Sequence, residues 1–180
     1  MSDLDEGESA SRQPVVAHQG PDPIISPDHF RATLGHFCSG ITIVTAAGDD
    51  GPAGLTCQSF ASVSLEPPLI LICPGKSSSS WPKVEATGAF CANVLAENQE
   101  ELCRGFAAKG GDKFAGIGWT PGPFTGSPVL NGALAWIECR IEATHAGGDH
   151  LIVVGRVLDL SASEGRPLLF FRGGYGRFDV

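Results

Sequence analysis

Positive charge is scarce in this chain. Twelve lysines and arginines stand against 20 aspartates and glutamates, giving a net charge of −8 and a pI of about 5.0 over 180 residues. Nucleic-acid backbones are gripped by clustered Lys and Arg, so nucleic acid is excluded as a general partner. No apolar run is long enough to cross a membrane. The opening Met1-Ser2-Asp3-Leu4-Asp5-Glu6-Gly7-Glu8 is acidic and has neither half of a signal peptide, so a cytoplasmic protein is expected. The six cysteines, at 38, 57, 73, 91, 103 and 139, form no CxxC pair. Cys73, Cys91 and Cys139 sit within apolar runs and read as small buried hydrophobes in a reducing compartment. Zinc needs tighter ligand pairing, and no metal site is expected. There is no Gly-x-Gly-x-x-Gly, which argues against a Rossmann unit. Gly105-Phe106-Ala107-Ala108-Lys109-Gly110 has the spacing of a phosphate loop, but Gly111-Asp112 stands where Lys and Ser/Thr are required. No Gly-x-Ser-x-Gly elbow is present for a hydrolase, and no carboxylate pair stands out for glycoside chemistry.

What the chain has is a globular composition, 42% hydrophobic and 18% charged. Its length suits one domain with a sizeable core. Residues 1–25 are polar, acidic and aperiodic and read as a flexible tail, leaving the domain to 26–180. Ser26-Pro27 starts a helix, Ser as N-cap and Pro at the first helical position. Phe30, Leu34 and Phe37 fall on one face of it. His29 and His36 share its side and read as surface or rim residues rather than metal ligands. Ile41–Ala47 is β-branched and strand-like, and Gly48–Pro52 is a turn. Short helices are expected near Trp81–Thr87 and Glu97–Ala108, the latter with Leu102, Cys103 and Phe106 inward. Strands are expected over Phe90–Leu95, Ala133–His145, His150–Leu160 and Pro167–Arg172. Gly110–Gly132 reads as loop. Many strands with few short helices predict a mainly β fold, a closed or nearly closed antiparallel barrel.

The most informative stretch is Gly54 to Cys73. It carries hydroxyls at Thr56, Ser59, Ser62 and Ser64 and an amide at Gln58. Glu66-Pro67-Pro68 is expected to stop strand pairing, and Leu69–Cys73 to be a fully buried strand. Small polar side chains beside a buried strand suit a flat polar ligand. A Ser/Thr-rich edge strand with no ligand fits the pattern equally well, and the residues alone leave both open. Lys76-Ser77-Ser78-Ser79-Ser80 combines a cation, hydroxyls and a helix start, a combination that favours phosphate over a plain serine linker. In Gly148-Asp149-His150, a histidine opening a strand is placed to face a ligand at a barrel mouth. The plainer reading is a local turn contact between Asp149 and His150. Arg172 and Tyr175, in Phe170-Phe171-Arg172-Gly173-Gly174-Tyr175, suit a nucleotide phosphate and a ring face. An aromatic cap on the core is the equally simple alternative.

Thr56-Cys57-Gln58-Ser59-Phe60-Ala61-Ser62-Val63-Ser64-Leu65-Glu66-Pro67-Pro68-Leu69, with Gly148-Asp149-His150 and Phe170–Tyr175, resembles the flavin reductase-like family over roughly Phe30 to Phe178. The resemblance implies a split barrel that binds flavin at a homodimer interface. It implies an enzyme that moves hydride from NADH, or NADPH, to FMN or FAD and supplies reduced flavin to a partner monooxygenase. The lean is toward aromatic or steroid-ring hydroxylation. On the family pattern His150 is the catalytic residue, near flavin and nicotinamide. The cofactor-binding set is Ser39, Gly40, Thr42, Thr56, Cys57, Gln58, Ser59, Phe60, Ser62, Val63, Ser64, Lys76, Ser78, Ser80, Asn93, Lys113, Arg172 and Tyr175. The missing basic cluster favours NADH over NADPH, since a 2′-phosphate recruits Arg. The alternative kept open is a non-catalytic flavin-binding or storage module on the same fold.

Overall fold

A computed structural model describes residues 23–178, and nearly all of the expected N-terminal tail lies outside them. In chain order the elements are α1 (Pro27–Leu34), β1 (Ser39–Gly40), β2 (Thr42–Gly48), β3 (Gly51–Cys57), β4 (Phe60–Leu65), β5 (Pro68–Ile72) and α2 (Trp81–Ala86). They continue with β6 (Ala89–Val94), α3 (Glu100–Ala107), β7 (Trp119–Pro121), β8 (Pro128–Leu130), β9 (Ala135–Gly147), β10 (His150–Ala162), β11 (Leu168–Phe171) and β12 (Gly174–Arg177). Seven strands form one antiparallel sheet in the order β3-β2-β6-β9-β10-β5-β4. The edges β3 and β4 do not pair with each other, so the barrel is split as expected. The chain runs from one edge to the opposite edge through Gln58 and Ser59 alone.

Side-chain alternation sorts two cores onto the two faces of this sheet. Val44, Ala46, Ala53, Leu55, Ile70, Ile72, Trp81, Val84, Phe90 and Val153 fill the barrel. Ile41, Ile43, Leu95, Cys103, Phe106, Leu130 and Leu168 pack between its outer face, α3 and the β11–β12 hairpin. Strand β2 feeds both cores, which explains its unbroken apolar run. Helix α3 approaches β3 closely because Gly54 has no side chain; a Cβ there would sit 2.6 Å from Phe106 Cε1. Its register is fixed by Thr56 Oγ1, which donates to the Cys103 carbonyl at 2.8 Å.

Five local expectations are corrected. Glu66-Pro67-Pro68 does not end pairing: Leu65 faces Pro68 across a two-residue turn, and Pro68 is the first residue of β5, a position that needs no ladder N–H. Strand β5 is not buried on both faces; Ile70 and Ile72 point inward while Leu69 and Leu71 are half-exposed on the outer face. Cys73 is likewise half-buried rather than buried. Helix α1 is capped by Ser26, whose Oγ accepts from His29 N–H, yet it buries no residue, and Phe30, Leu34 and Phe37 are 53%, 56% and 82% exposed. Within the expected loop 110–132, β7 and β8 form a small ribbon.

Strands β9 and β10 carry a bulge between Val154 and Gly155, where absence of a side chain admits the Phe90 ring. A Cβ at Gly155 would lie 2.7 Å from Phe90 Cζ and 3.0 Å from Cys139 Cβ. Gly155→Ala is therefore expected to destabilise the fold by about 1–3 kcal/mol, read as a lowered urea midpoint. Gly105→Ala, in α3 with open space around it, serves as the control and is expected to be neutral or stabilising by up to about 1 kcal/mol.

Candidate functional site

The split in the barrel opens into a cleft of about 400 Å³. Its walls are Ile41, Leu55, Thr56, Cys57, Gln58, Ser59, Cys73, Pro74, Gly75, Cys103, Ala107, His150, Phe170 and Tyr175. Two further hollows continue it, the first sharing walls with the cleft and the second with the first. One, of about 260 Å³, is lined by Leu55, Thr56, Gly75, Ala107, Lys109, Lys113 and the four serines 77–80. The other, of about 200 Å³, shares Ser79, Ser80 and Lys113 and adds Lys83 and Gly110–Phe114. The result is one trough with an apolar, ring-sized head and a hydroxyl-rich, basic tail.

His150 stands at the head. The two-residue turn Gly148-Asp149 joins β9 to β10, with Gly148 at φ 72°. It aims the ring at the Pro74–Gly75 backbone, where a Cβ on Gly75 would be only 3.6 Å from His150 Nε2. His150 Nδ1 is 2.8 Å from Asp149 Oδ1. That contact, with the imidazole charge second, holds the exposed Asp149 carboxyl below its ordinary range. The pair orients the ring and leaves Nε2 toward the cleft.

Tyr175 closes the other side. Its hydroxyl is 3.4 Å from Cys103 Sγ, its ring is edge-on to Phe170 at 5.4 Å, and the Arg104 guanidinium lies 4.5 Å over it. The hydrogen bond with Cys103, then burial, pushes the phenol up to about 12. Burial likewise pushes the Cys57 thiol up to about 11, and its Sγ donates toward Ser59 O at 3.6 Å. At neutral pH these groups are uncharged.

In the tail, Ser78 Oγ accepts from Ser80 N–H at 3.3 Å and Trp81 N–H at 3.2 Å. With Pro82 following, the start of α2 is already satisfied, and the free helix N–H groups expected from the sequence are not there. Affinity for a phosphate rests instead on hydroxyls and lysines. Lys113 Nζ donates to Phe106 O at 2.8 Å and to Ser80 Oγ at 3.2 Å, fixing that hydroxyl in the trough. Partial burial lowers the pKa of this ammonium.

Of the expected site residues, the structure brings Thr56, Cys57, Gln58, Ser59, Ser78, Ser80, Lys113, His150 and Tyr175 to the trough. It places the others elsewhere. Thr42 is 3% exposed and donates to Cys57 O. Asn93 is fully buried; its Nδ2 serves Thr45 Oγ1 and the carbonyls of Ile43 and Pro128, and its Oδ1 accepts from Leu130 N–H. Both side chains are structural pegs with nothing left for a ligand. Phe60 packs against the barrel core. Ser62, Val63 and Ser64 lie on the edge strand β4, and Ser39 and Gly40 on β1, paired to β11. Lys76 turns away to donate to Gly148 O at 2.7 Å, tying the serine loop to the histidine turn. Arg172 belongs to a different cavity, beside α1. Sequence reading missed Leu55, Gly75, Cys103 and Lys109 as lining residues. Lys109 was within reach, since it sits in the Gly105–Gly110 spacing set aside for lacking its Lys-Ser/Thr ending.

The flavin reductase like domain matches residues 34–179. The chain is 55% identical over 152 residues to the reductase subunit HsaB of a flavin-dependent monooxygenase from Rhodococcus jostii (strain RHA1), covering 84% of this chain and 77% of that one. It is 45% identical to the FMN reductase (NADH) SmoA of Agrobacterium fabrum, covering 83% and 84%. The structure of the Streptomyces globisporus NADH:FAD oxidoreductase SgcE6, in complex with NAD and FAD fragments, superposes with a TM-score of 0.81 at 36% identity, over 88% of this chain and 98% of that one.

Tyr175 is the one tyrosine of the chain, so its titration is readable alone by ultraviolet difference absorbance. It is expected to ionise near 12 in the folded protein and near 10 on unfolding. A raised folded-state value means that its contribution to stability is complete below about pH 10 and is lost as pH climbs through 12. Cys103→Ala removes the largest cause and is expected to bring the folded value back toward 10.

Proposed function

The chain belongs to the flavin reductase-like family, and we propose that the trough seats the flavin ring at its head, between Gln58-Ser59 and His150, and the flavin phosphate among Ser77–Ser80. The protein is an NADH-dependent flavin reductase acting on FMN or FAD, of the kind that serves two-component monooxygenases. The observation that carries the site assignment is the continuity of the apolar head with the serine- and lysine-lined tail.

The residues present fit a flavin. The missing side chain at Gly75 and the small ones at Ser59 and Cys57 allow a planar ring to approach the backbone. Thr56, Gln58 and Ser59 offer donors and acceptors at ring edges. Bound there, the flavin supplies the redox chemistry by accepting hydride from NADH. The protein's own residues bind, orient and exclude water. Ile41, Leu55 and Phe170 make the dry wall. His150, held by Asp149 on one nitrogen, presents the other to the mouth, where a nicotinamide carboxamide is positioned.

Reduced flavin must leave to serve a monooxygenase partner, and the cytoplasm is where NADH is available. The homodimer fits the surface: Val63, Leu65, Ile152 and Leu160 are 50%, 94%, 37% and 60% exposed on β4 and β10. A second copy is the natural cover for an apolar sheet face ending in an open edge strand. Light scattering at micromolar concentration is expected to give a dimer, and Leu65→Glu to weaken it. A fully active wild-type monomer would contradict the assignment.

His150→Ala is expected to lower kcat/KM for NADH by roughly tenfold to a hundredfold, about 1.4–2.7 kcal/mol, with little change in flavin affinity. Ser80→Ala is expected to weaken flavin binding by roughly 1 kcal/mol with the rate of bound-flavin reduction kept. Stopped-flow reduction and fluorescence titration of both variants separate the two effects. Wild-type reduction rates in His150→Ala would make the histidine structural.

A further inference from the structure

A second polar cavity, of about 320 Å³, lies between α1 and the β11–β12 turn, lined by Arg31, Ala32, His36, Arg172 and Gly173. Two arginines and a histidine line it, in a chain with only 12 lysines and arginines and a net charge of −8. The cavity is built from segments far apart in sequence. Arg172 N–H donates to Gly35 O at 2.9 Å, and Gly35 lets the two backbones meet, since a Cβ there would be 3.0 Å from Arg31 O and 3.4 Å from Arg172 Cα. Arg172 and Gly173, at φ 49° and 84°, are the central pair of the hairpin turn. Asn or Gly is the usual first residue of such a turn, and Arg takes the conformation at some cost.

The donors of this cavity are available. Arg172 has no side-chain hydrogen bond or ion pair among the described residues. Arg31 gives one terminal nitrogen to Asp28 at 2.7 Å, a pair 73% and 95% exposed and therefore weak. His36 Nδ1 meets two acceptors, the Ala32 and Thr33 carbonyls at 2.9 and 3.2 Å, so it carries a hydrogen, and Nε2, which has no partner among the described residues, donates to an anion when the ring takes up a second proton. The ring stands edge-on to Phe171 at 6.2 Å.

The cavity also has an address. Phe170, which lines the flavin cleft, precedes Arg172 by two residues and pairs across the hairpin with Tyr175, which lines it too. At about 3.3 Å per residue, the Arg172 backbone is within roughly 7 Å of Phe170. A ligand with a planar group in the cleft and an anionic group a few bonds away reaches this cavity along the hairpin. Planar guanidinium forks match phosphate oxygens two at a time. We infer that Arg172, Arg31 and His36 receive the diphosphate of the nicotinamide dinucleotide while its ring is held at the cleft mouth. The inference rests on the reductase reading and assigns α1 a role in hydride-donor recognition.

Two hydride donors test it: NADH, and dihydronicotinamide riboside, which has the same ring and no phosphate. With saturating FMN, Arg172→Gln and Arg31→Gln are each expected to raise KM for NADH, lowering kcat/KM about tenfold to a hundredfold. Turnover of the riboside and the Kd for FMN are expected to stay within twofold of wild type. Calorimetric titration with ADP is expected to show weaker binding by Arg172→Gln than by wild type. Equal losses with both donors, or unchanged NADH kinetics and ADP binding, would overturn the inference while leaving the reductase reading intact. A wild-type protein that oxidises no NADH with any flavin would instead overturn that reading, and the inference with it.

Discussion

The structure depends on one crossing. Gln58 and Ser59 carry the chain from β3, at one edge of the seven-stranded sheet, to β4 at the other. A closed barrel would satisfy the edge groups by pairing β3 with β4. Here the sheet stays split, and backbone and side-chain polar groups of the crossing face a cleft. Cys73 N–H donates to Ser59 O at 3.2 Å, which holds the crossing against β5. Thr56 is tied to α3 just before it. The ligand cleft is thus the gap left by the barrel's failure to close.

The rigidity around that gap comes from polar groups that never touch it. Asn93, Thr45 and Pro128 O form one buried knot across β2, β6 and β8. Glu138 forms another, its carboxyl oxygens accepting from Phe124 and Thr125 N–H at 3.0 and 2.9 Å. Gly122 makes room for it, since a side chain there would overlap the carboxyl. Buried polar groups that are fully satisfied fix a single arrangement, whereas half-satisfied ones cost stability. These knots pin the central strands from positions outside the trough.

This division explains what was legible in the sequence. Element types came from periodicity and turn chemistry, and the strands from Ile41, Phe90 and His150 appear close to where the pattern puts them. Thr56, Gln58 and Ser59 line the cleft, and their small polar side chains between apolar strands marked them as candidates beside the plainer reading of an edge strand. Asn93 and Thr42 were misplaced because an isolated polar residue in an apolar strand looks the same whether it meets a ligand or a neighbouring carbonyl. Only the cross-strand register decides, and register is a long-range property. Lys76 lies outside the trough for a different reason. Its residue type suits phosphate, but its place beside the histidine turn brings its ammonium to the Gly148 carbonyl instead. The half-exposed face of β5 escaped because Leu69 and Leu71 carry the same residue type as a core position.

The electrostatics of the cleft follow from the same construction. Burial holds the Cys57 thiol up at about 11, and the hydrogen bond with Cys103, then burial, holds the Tyr175 phenol up at about 12, so both stay protonated across the physiological range. Apart from His150, and Arg104 behind Tyr175, the head is lined by uncharged side chains, while Lys109 and Lys113 line the tail. On the proposed placement, a phosphate in the tail meets Lys109 and Lys113. That placement puts the anchor on the part of the ligand that the reaction leaves unchanged, so the grip of the tail is the same for the oxidised and the reduced ring.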